Sequence, residues 1–255
     1  MNDIKAEVQK RYAAIATQAD GCGCGSSSDC CSSDTVAVSE LIDYGDLNAE
    51  VVEGANLGLG CGIPTLYAGI RPGDSVLDLG SGAGVDVFLA AKAAGPEGRV
   101  IGVDMAPEMI ARAWNNAVKG GYRNVEFRLG DIEALPVADA SIDVILSNCV
   151  INLAPNKRRV FAEMHRVLKP GGRFSISDMV TYGEVPQAIR ADVERWASCI
   201  AGALDREAYL QIIRETGFED VKVDKSIEYD ALKGEGYGMA SITVEGVKPQ
   251  PRPGA

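Results

Sequence analysis

The chain has 255 residues, of which 46% are hydrophobic, and a formal net charge of −11. This length predicts one main domain with an appendage, and the apolar content is enough for a sizeable core. The acidic balance argues against nucleic acid and anionic membranes as partners, because both need clustered basic side chains. Apolar runs are too short to span a membrane, and the charged N-terminus lacks a secretory pattern. We therefore expect a cytoplasmic protein whose thiols stay mostly reduced.

The N-terminal segment, residues 1–35, is predicted to be a helix followed by a cysteine-rich loop. Residues 3–17 read as a short amphipathic helix, whereas residues 20–35 are rich in Gly, Ser and Cys and cannot build a core of their own. The loop has C-x-C and C-C pairs rather than the C-x₂-C pairs that are typical of zinc sites. Three interpretations stay open: a metal site, a store of reducing thiols, or an inert tail.

Residues 36–180 have the alternating pattern of an α/β fold with a doubly wound sheet. Strands are expected in 74–104, on either side of a helix over 86–94, and again at 124–131 and 141–149. Further crossover helices are expected at 107–119 and 155–169. On the 107–119 helix, the predicted buried stripe is Met109, Ile110, Ala113, Trp114 and Ala117.

A glycine-rich turn after the first strand indicates what the sheet binds. Its glycines, at positions 80, 82 and 84, are spaced G-x-G-x-G and not G-x-G-x-x-G as in dinucleotide sites. The acidic residues at the ends of three predicted strands are Asp78, Asp104 and Asp131. Carboxylates there would repel a pyrophosphate but suit a ligand with an ammonium group, a ribose diol and a sulfonium cation. A nicotinamide-binding Rossmann domain is therefore disfavoured.

The C-terminal region, residues 181–247, is predicted to be a small α+β appendage beside the ligand crevice. A helix is expected from Pro186 to Leu204, and a second helix is capped by Asp205 and ended by Gly217. Strand-like runs follow at 221–229 and 241–247. The proline-rich residues 248–255 are expected to be a disordered tail.

Seven cysteines and one histidine limit the chemistry. His165 lies one residue off the apolar stripe of its helix, which predicts a surface or boundary position. Because the chain has no other histidine, Ser–His and Cys–His pairs are nearly excluded. Cys61 lies between two glycines, Cys149 ends a predicted strand, and Cys199 follows Trp196 on a helix. Each thiol by itself could be core packing. Three thiolates in a pyramid would match a trivalent metalloid, because soft ligands select soft acceptors.

Four motifs within residues 74–180, VLDLGSGAG, GVDM, GDIEALP and RVLKPGGRFSISD, resemble the class I S-adenosylmethionine-dependent methyltransferases. The resemblance implies a Rossmann-like class I methyltransferase sheet that binds S-adenosyl-L-methionine. It places Asp104 on the ribose hydroxyls. The implied methionine-side contacts are Asp78, Gly80, Ser81 and Gly82, the adenine contacts are Met105, Asp131 and Ile132, and Gly84 and Asn148 complete the expected set.

The strings GLGCGIP, SNCVINLAPNKRRVFAEMHRVLKPGG and WASCIAGAL are similar to the arsenite methyltransferases. The resemblance implies methyl transfer to trivalent arsenic bound by Cys149 and Cys199, with Cys61 as a third ligand or a disulfide partner. An N-terminal family cysteine maps onto Cys30 or Cys31. Arsenite or its glutathione adduct would be the substrate, thioredoxin or glutathione the reductant, and the protein a monomer.

Two other functions compete with this interpretation. A methyltransferase of a small organic acceptor would need an apolar pocket and usually a base, and the shortage of histidine counts against it. A metalloid or zinc sensor on a retired methyltransferase frame is disfavoured by the intact glycine turn and acidic strand ends. The extent of methylation and the roles of Cys22 and Cys24 are not specified by the sequence.

Overall fold

The structure is a computed structural model that describes residues 2–18, 52–185, 202–234 and 236–251. The helices in these ranges are α1 (Asn2–Gln18), α2 (Val85–Ala94), α3 (Pro107–Gly120), α4 (Lys157–Val167) and α5 (Arg206–Glu215). Short 3₁₀ turns cover Pro64–Leu66, Ile151–Leu153 and Asp230–Leu232. None of the helices in the described ranges is both long and apolar enough to cross a membrane.

One eight-stranded mixed sheet organises the described chain. Its strands are β1 (Ser75–Leu79), β2 (Arg99–Asp104), β3 (Val125–Leu129), β4 (Ile142–Asn148), β5 (Leu168–Gly183), β6 (Leu204–Asp205), β7 (Glu219–Glu228) and β8 (Tyr237–Val247). The order is β3-β2-β1-β4-β5-β8-β7, and β6 pairs with β5. Strands β1 to β5 are parallel, and the winding reverses between β1 and β4. The predicted doubly wound α/β fold is confirmed.

The C-terminal helix and strands have the predicted types, but they extend the main sheet instead of forming a separate unit. Strand β8 pairs antiparallel with β5 from Arg173 to Gly183, so the predicted boundary at residues 180 and 181 falls inside a strand. Asp205 caps α5 as predicted, accepting hydrogen bonds from the backbone of Glu207 and Ala208. Leu204 does not end a helix, because it belongs to β6 and pairs with Val180 of β5. The rest of that predicted helix, 186–201, lies outside the described residues.

The prediction of a disordered tail is wrong for its first residues. The Lys248 backbone exchanges hydrogen bonds of 2.8 Å with Gly171 and Gly172, and its ammonium donates to the carbonyls of His165 and Leu168. Gln250 donates to the carbonyl of Pro170. These bonds hold residues 248–250 against residues 165–172, at the beginning of β5. Residues 252–255 lie outside the described residues.

Helix α3 buries most of its predicted stripe against the sheet. Met109, Ala113 and Ala117 are buried, while Trp114 is 42% exposed and packs edge-on against the Phe127 ring. Its prediction as a buried residue is therefore wrong, because the helix presents this indole to the edge strand β3. His165 is half-buried, as predicted.

Helix α1 is present where a helix was predicted over residues 3–17, and it packs on α3. The Arg112 guanidinium donates to the Ala16 carbonyl at 2.9 Å, and the Gln9 amide donates to the Met105 carbonyl at 2.9 Å. These contacts fix α1 over the carboxyl ends of the parallel strands. Residues 19–51 lie outside the described residues.

Candidate active site

A crevice of about 1060 Å³, partly open to solvent, lies at the carboxyl ends of β1, β2 and β4. This is the switch point at which doubly wound sheets bind ligands. Ten of the predicted site residues line it: Asp78, Gly80, Ser81, Gly82, Asp104, Met105, Asp131, Ile132, Asn148 and Cys149. Gly84 does not line the crevice. It caps the N-terminus of α2 with a φ of 99°, and a Cβ there would lie 2.9 Å from the Phe88 ring.

Asp104 fixes the shape of the glycine turn. Its carboxylate accepts one hydrogen bond from the Gly82 backbone and one from the Ala106 backbone, both at 2.9 Å. Gly82 has a φ of 51°, which favours glycine because a side chain is strained there. The carboxylate therefore holds two neighbouring loops in the crevice wall. The predicted contact with ribose hydroxyls stays a prediction.

Three buried carboxylates surround the inner end of the crevice. Burial raises the pKa of Asp78 well above its usual range, and the charges of Asp86 and Asp104 raise it further. Burial also raises the pKa of Asp104, against the hydrogen bonds that lower it. An approaching cation stabilises the ionised form of such buried carboxylates. The site therefore favours a cationic ligand, such as one with an ammonium and a sulfonium group. Sequence reasoning missed Asp86, which sits in the first turn of α2.

Helix α1 closes the opposite side of the crevice with Lys5, Val8 and Tyr12. The Lys5 ammonium lies 2.6 Å from the Asp131 carboxylate and 3.0 Å from that of Glu133. Asp131 is thus paired with a cation in this structure, in addition to lining the crevice. This contact joins residues that are 126 positions apart, and the sequence has no local signal for it.

The thiols of Cys61 and Cys149 lie side by side at the end of β4. Their sulfur atoms and a carboxylate oxygen of Asp178 all lie within 4.8 Å of one another, and all three residues are buried. Cys149 also lines the crevice, so one thiol of the pair touches the space where a cofactor would bind. The other predicted arsenic ligand, Cys199, and the candidate reducing thiols, Cys30 and Cys31, lie outside the described residues.

The backbone of Cys149 turns sharply where β4 ends. Its φ is 58°, a left-handed value that is unusual for a residue with a side chain and costs about 1–3 kcal/mol. Its N–H donates to the Ser177 carbonyl at 2.8 Å, which holds the turn against β5. The strain fits a residue whose position serves a function rather than stability.

Cys61 is held next to this turn by Asn148. The Asn148 carboxamide oxygen accepts from the backbone N–H of Cys61 at 3.0 Å and of Gly62 at 3.3 Å. Its nitrogen donates to the Gly62 carbonyl at 2.7 Å and to Asp86 at 3.1 Å. Ser241 on β8 donates to the Cys61 carbonyl. Asn148, predicted as a cofactor contact, thus also fastens the Cys61 loop to the sheet.

The glycines beside Cys61 allow its loop to approach the sheet closely. A Cβ on Gly60 would lie 2.7 Å from the Asn148 side chain, and one on Gly62 would overlap Ser177. Both positions therefore need glycine, and Cys61 is fully buried as a result. Sequence reasoning singled out Cys61 and its two glycines but did not predict this close packing.

Asp178, on β5, is a buried carboxylate that sequence reasoning missed. It accepts hydrogen bonds from the backbone of Asn152 and Met179, both at 3.1 Å, and from the Tyr209 hydroxyl at 3.2 Å. Burial raises its pKa to about 7, although the nearby Lys157 ammonium lowers it. Inside SISDMV it reads as part of a buried strand, and only the tertiary structure brings it to the thiols.

The chain is similar to known methyltransferases. Residues 70–217 match the methyltransferase domain family. The chain is 48% identical to an arsenite methyltransferase of Halobacterium salinarum over 95% of its own length and 66% of that protein. It is 40% identical to an arsenite methyltransferase of Aquipseudomonas alcaligenes over 64% of its length and 49% of that protein. The crystal structure of CrArsM, an arsenic(III) S-adenosylmethionine methyltransferase from Chlamydomonas reinhardtii, superposes with a TM-score of 0.68 at 34% identity, covering 86% of this chain and 73% of that one.

The chain belongs to the arsenite methyltransferase family. Its sheet is the class I methyltransferase fold, with β8 as the antiparallel strand. This methyltransferase spans about two thirds of the length of the Halobacterium relative and about half of the Aquipseudomonas relative.

Proposed function

We propose that this methyltransferase transfers the methyl group of S-adenosyl-L-methionine to trivalent arsenic bound by cysteine thiolates. The observation that carries the proposal is the pair of buried thiols, Cys61 and Cys149, whose sulfur atoms lie within 4.8 Å of each other, with Cys149 at the wall of the crevice. Soft sulfur ligands select a soft acceptor such as trivalent arsenic. The described residues would then present the arsenic to the crevice from the end of β4.

The crevice residues suit S-adenosylmethionine. The buried carboxylates of Asp78 and Asp86 lie at the inner end and would favour its cationic groups over water. Asp104 would bind the ribose, and Met105 and Ile132 offer apolar surface for the adenine. Helix α1 covers the side of the crevice opposite the buried carboxylates and would limit the access of water.

Arsenite, or its glutathione adduct, would exchange its oxygen or sulfur ligands for protein thiolates. Cys149 lies at the crevice wall and Cys61 behind it, so both would hold the arsenic from the side away from the cofactor. Cys199 would supply a third thiolate. Its participation rests on the sequence resemblance.

When bound, S-adenosylmethionine supplies an electrophilic methyl group, which the arsenic lone pair takes as the carbon–sulfur bond breaks and S-adenosylhomocysteine leaves. The arsenic carries no proton to be removed, so the residues need not provide a general base. Their main contribution is positioning, which can lower a barrier by about 7–11 kcal/mol. Asn148 and the two glycines around Cys61 serve this purpose.

Methyl transfer leaves the arsenic formally pentavalent, and two electrons are needed to return it to the trivalent state. A pair of thiols would supply them and become a disulfide, with Cys61 and either Cys30 or Cys31 as the candidate pair. Thioredoxin or glutathione would then reduce that disulfide by thiol exchange. A cytoplasmic location fits this need for reduced thiols. We expect the active species to be a monomer.

The test is to incubate the purified chain with arsenite, S-adenosylmethionine and a thiol, and to follow arsenic speciation over time. Methylated arsenicals are expected from the unaltered chain. Cys149→Ser and Cys199→Ser should abolish them while isothermal titration still detects S-adenosylmethionine binding. Substantial arsenite turnover by either variant would remove that cysteine from the obligatory ligands. Methyl transfer to a phenolic acceptor but not to arsenite would favour an organic substrate instead.

A further inference from the structure

We infer that Cys61, Cys149 and Asp178 also form a binding site for a thiophilic divalent cation, Zn²⁺ or Cd²⁺, which competes with arsenite for the same thiols. The three ligand atoms lie within 4.8 Å of one another and come from the loop before β1, the end of β4 and the middle of β5. A cation at their centre would have two sulfur ligands and one oxygen ligand. This inference does not require that the chain methylate arsenic.

The ligand set matches the chemistry of these cations. Zinc accepts Cys sulfur together with Asp or Glu oxygen, and sites with three protein ligands keep a fourth position for water. Cys149 lines the crevice, which gives a cation an entry path and gives the fourth position access to solvent. Each thiol releases its proton to the solvent as its metal–sulfur bond forms.

The carboxylate of Asp178 is held in place yet keeps capacity for a ligand bond. A carboxylate can accept about four hydrogen bonds. Asn152 and Tyr209 donate to one of its oxygens, and Met179 donates to the other. The second oxygen therefore still has a lone pair available, while the hydrogen bonds fix the orientation of the group, as second-shell partners do in known metal sites.

Asp178 distinguishes the binding of a divalent cation from the binding of arsenic at the same thiols. Trivalent arsenic selects thiolates, so its binding depends on the cysteines and only weakly on a carboxylate. A divalent cation uses the carboxylate as its third ligand. Removing that oxygen should therefore weaken the cation much more than arsenite.

The experiment uses the full chain with Cys22, Cys24, Cys30, Cys31 and Cys199 changed to Ser, so that only the thiols of Cys61 and Cys149 can bind the probe. Cadmium chloride is titrated against a chromophoric chelator, and the sulfur-to-cadmium absorption is recorded in the ultraviolet. We expect one Cd²⁺ per chain, displaced by arsenite. Cys61→Ser and Cys149→Ser should each lower the absorption, and Asp178→Asn should weaken Cd²⁺ binding at least about 10-fold, since even the loss of an outer-shell partner typically costs about 10- to 100-fold. Arsenite binding to Asp178→Asn should change by less than about threefold, a difference too small to indicate a lost ligand.

Asp139→Asn is the matched control, because its carboxylate is exposed and forms an ion pair with Arg166. It should leave Cd²⁺ binding unchanged. A ¹¹³Cd NMR spectrum of the protein that retains Asp178 gives the donor set independently of the folding of any variant. A mixed sulfur and oxygen donor set supports the inference. Sulfur-only ligation, no Cd²⁺ binding, or unchanged affinity in a folded Asp178→Asn protein would overturn it, whatever the outcome of the methylation assay.

Discussion

The side chain of Asn148 and the backbone of Cys61 are joined across 87 positions of sequence by a hydrogen bond of 3.0 Å. Asn148 immediately precedes Cys149, so one amide group sets the separation of the two thiols. The same amide donates to Asp86 in the crevice wall at 3.1 Å. The thiol pair and the cofactor crevice are therefore built on one shared side chain.

Asn148→Ala should separate the thiols. The change removes the acceptor of two backbone N–H groups, and leaving buried donors unpaired costs about 1–3 kcal/mol. We expect the free energy of unfolding to fall by that amount and arsenite binding to weaken in parallel. Chemical denaturation and arsenite titration would measure the two effects.

Asn156→Ala is a control for this variant. Its side chain caps α4 by accepting from Arg159, so its loss should cost about 1 kcal/mol of stability. It contacts neither thiol, and arsenite binding should be unchanged. An equal loss of arsenite affinity in both variants would show that Asn148 acts through stability alone.

Gly62→Ala should push the Cys61 loop away from β5. Its methyl group would overlap Ser177, and overpacking of this kind typically costs about 1–3 kcal/mol. Arsenite affinity should fall with the stability. The double variant Gly62→Ala with Ser177→Gly provides space and should recover a large part of both. Thermal unfolding and arsenite titration of the single and double variants test this, and no recovery would contradict the steric explanation.

Lys5→Met should weaken the binding of S-adenosylmethionine. Lys5 pairs with Asp131 and Glu133 and holds α1 against the crevice. A partly exposed ion pair contributes about 0–1 kcal/mol, so we expect at most about a fivefold rise in Kd. Isothermal titration at low and high salt would measure it.

The effect of Lys5→Met should shrink at high salt, because the ion pair is screened there. Lys222→Met is the control, since Lys222 pairs with Asp224 and Glu245 on the β7 and β8 side of the sheet. It should not change the Kd. A salt-independent effect of Lys5→Met would instead indicate that its aliphatic chain matters.

Asp178 should make the stability of the chain depend on pH. Burial raises its pKa to about 7 in the folded chain, against an ordinary value of 3.8. The folded chain thus binds this proton more tightly than the unfolded chain. Its contribution to stability is fully present below about pH 4 and is lost as the pH rises through 7.

Asp178→Asn should remove this part of the pH dependence. Denaturation at several pH values between 4 and 8 would measure the slope in each protein. Glu97→Gln, at an exposed carboxylate, should leave the slope as it is. A slope that persists in Asp178→Asn would assign the dependence to other groups, such as Asp78.

The sequence was sufficient to predict the parallel sheet, the crevice and ten of the residues that line it. The reason is that the glycine turn and the acidic residue at the end of β2 lie close together in the sequence. Asp104 accepts a hydrogen bond from the backbone of Gly82, which is only 22 positions earlier. Local periodicity and turn chemistry determine such units. The two glycines that flank Cys61 did not by themselves predict its close approach to the sheet.

The contacts that the sequence did not predict join distant elements. Asp178 reaches the thiols because β5 pairs with β4, and Lys5 reaches Asp131 because α1 packs on α3. The continuation of the sheet through β8 was also missed, because the strand patterns of 221–229 and 241–247 do not specify their partner. Only the assembled tertiary structure determines these pairings.

The long antiparallel pairing of β5 with β8 decides how this chain can be shortened. A fragment ending at residue 217, where the family match ends, would lack β7 and β8. It would expose the backbone of β5 along eleven paired positions, an open edge that invites self-association. It would also lose Ser241, which anchors the carbonyl of Cys61. A shortened chain that keeps β5 paired and Cys61 anchored must therefore extend through Val247.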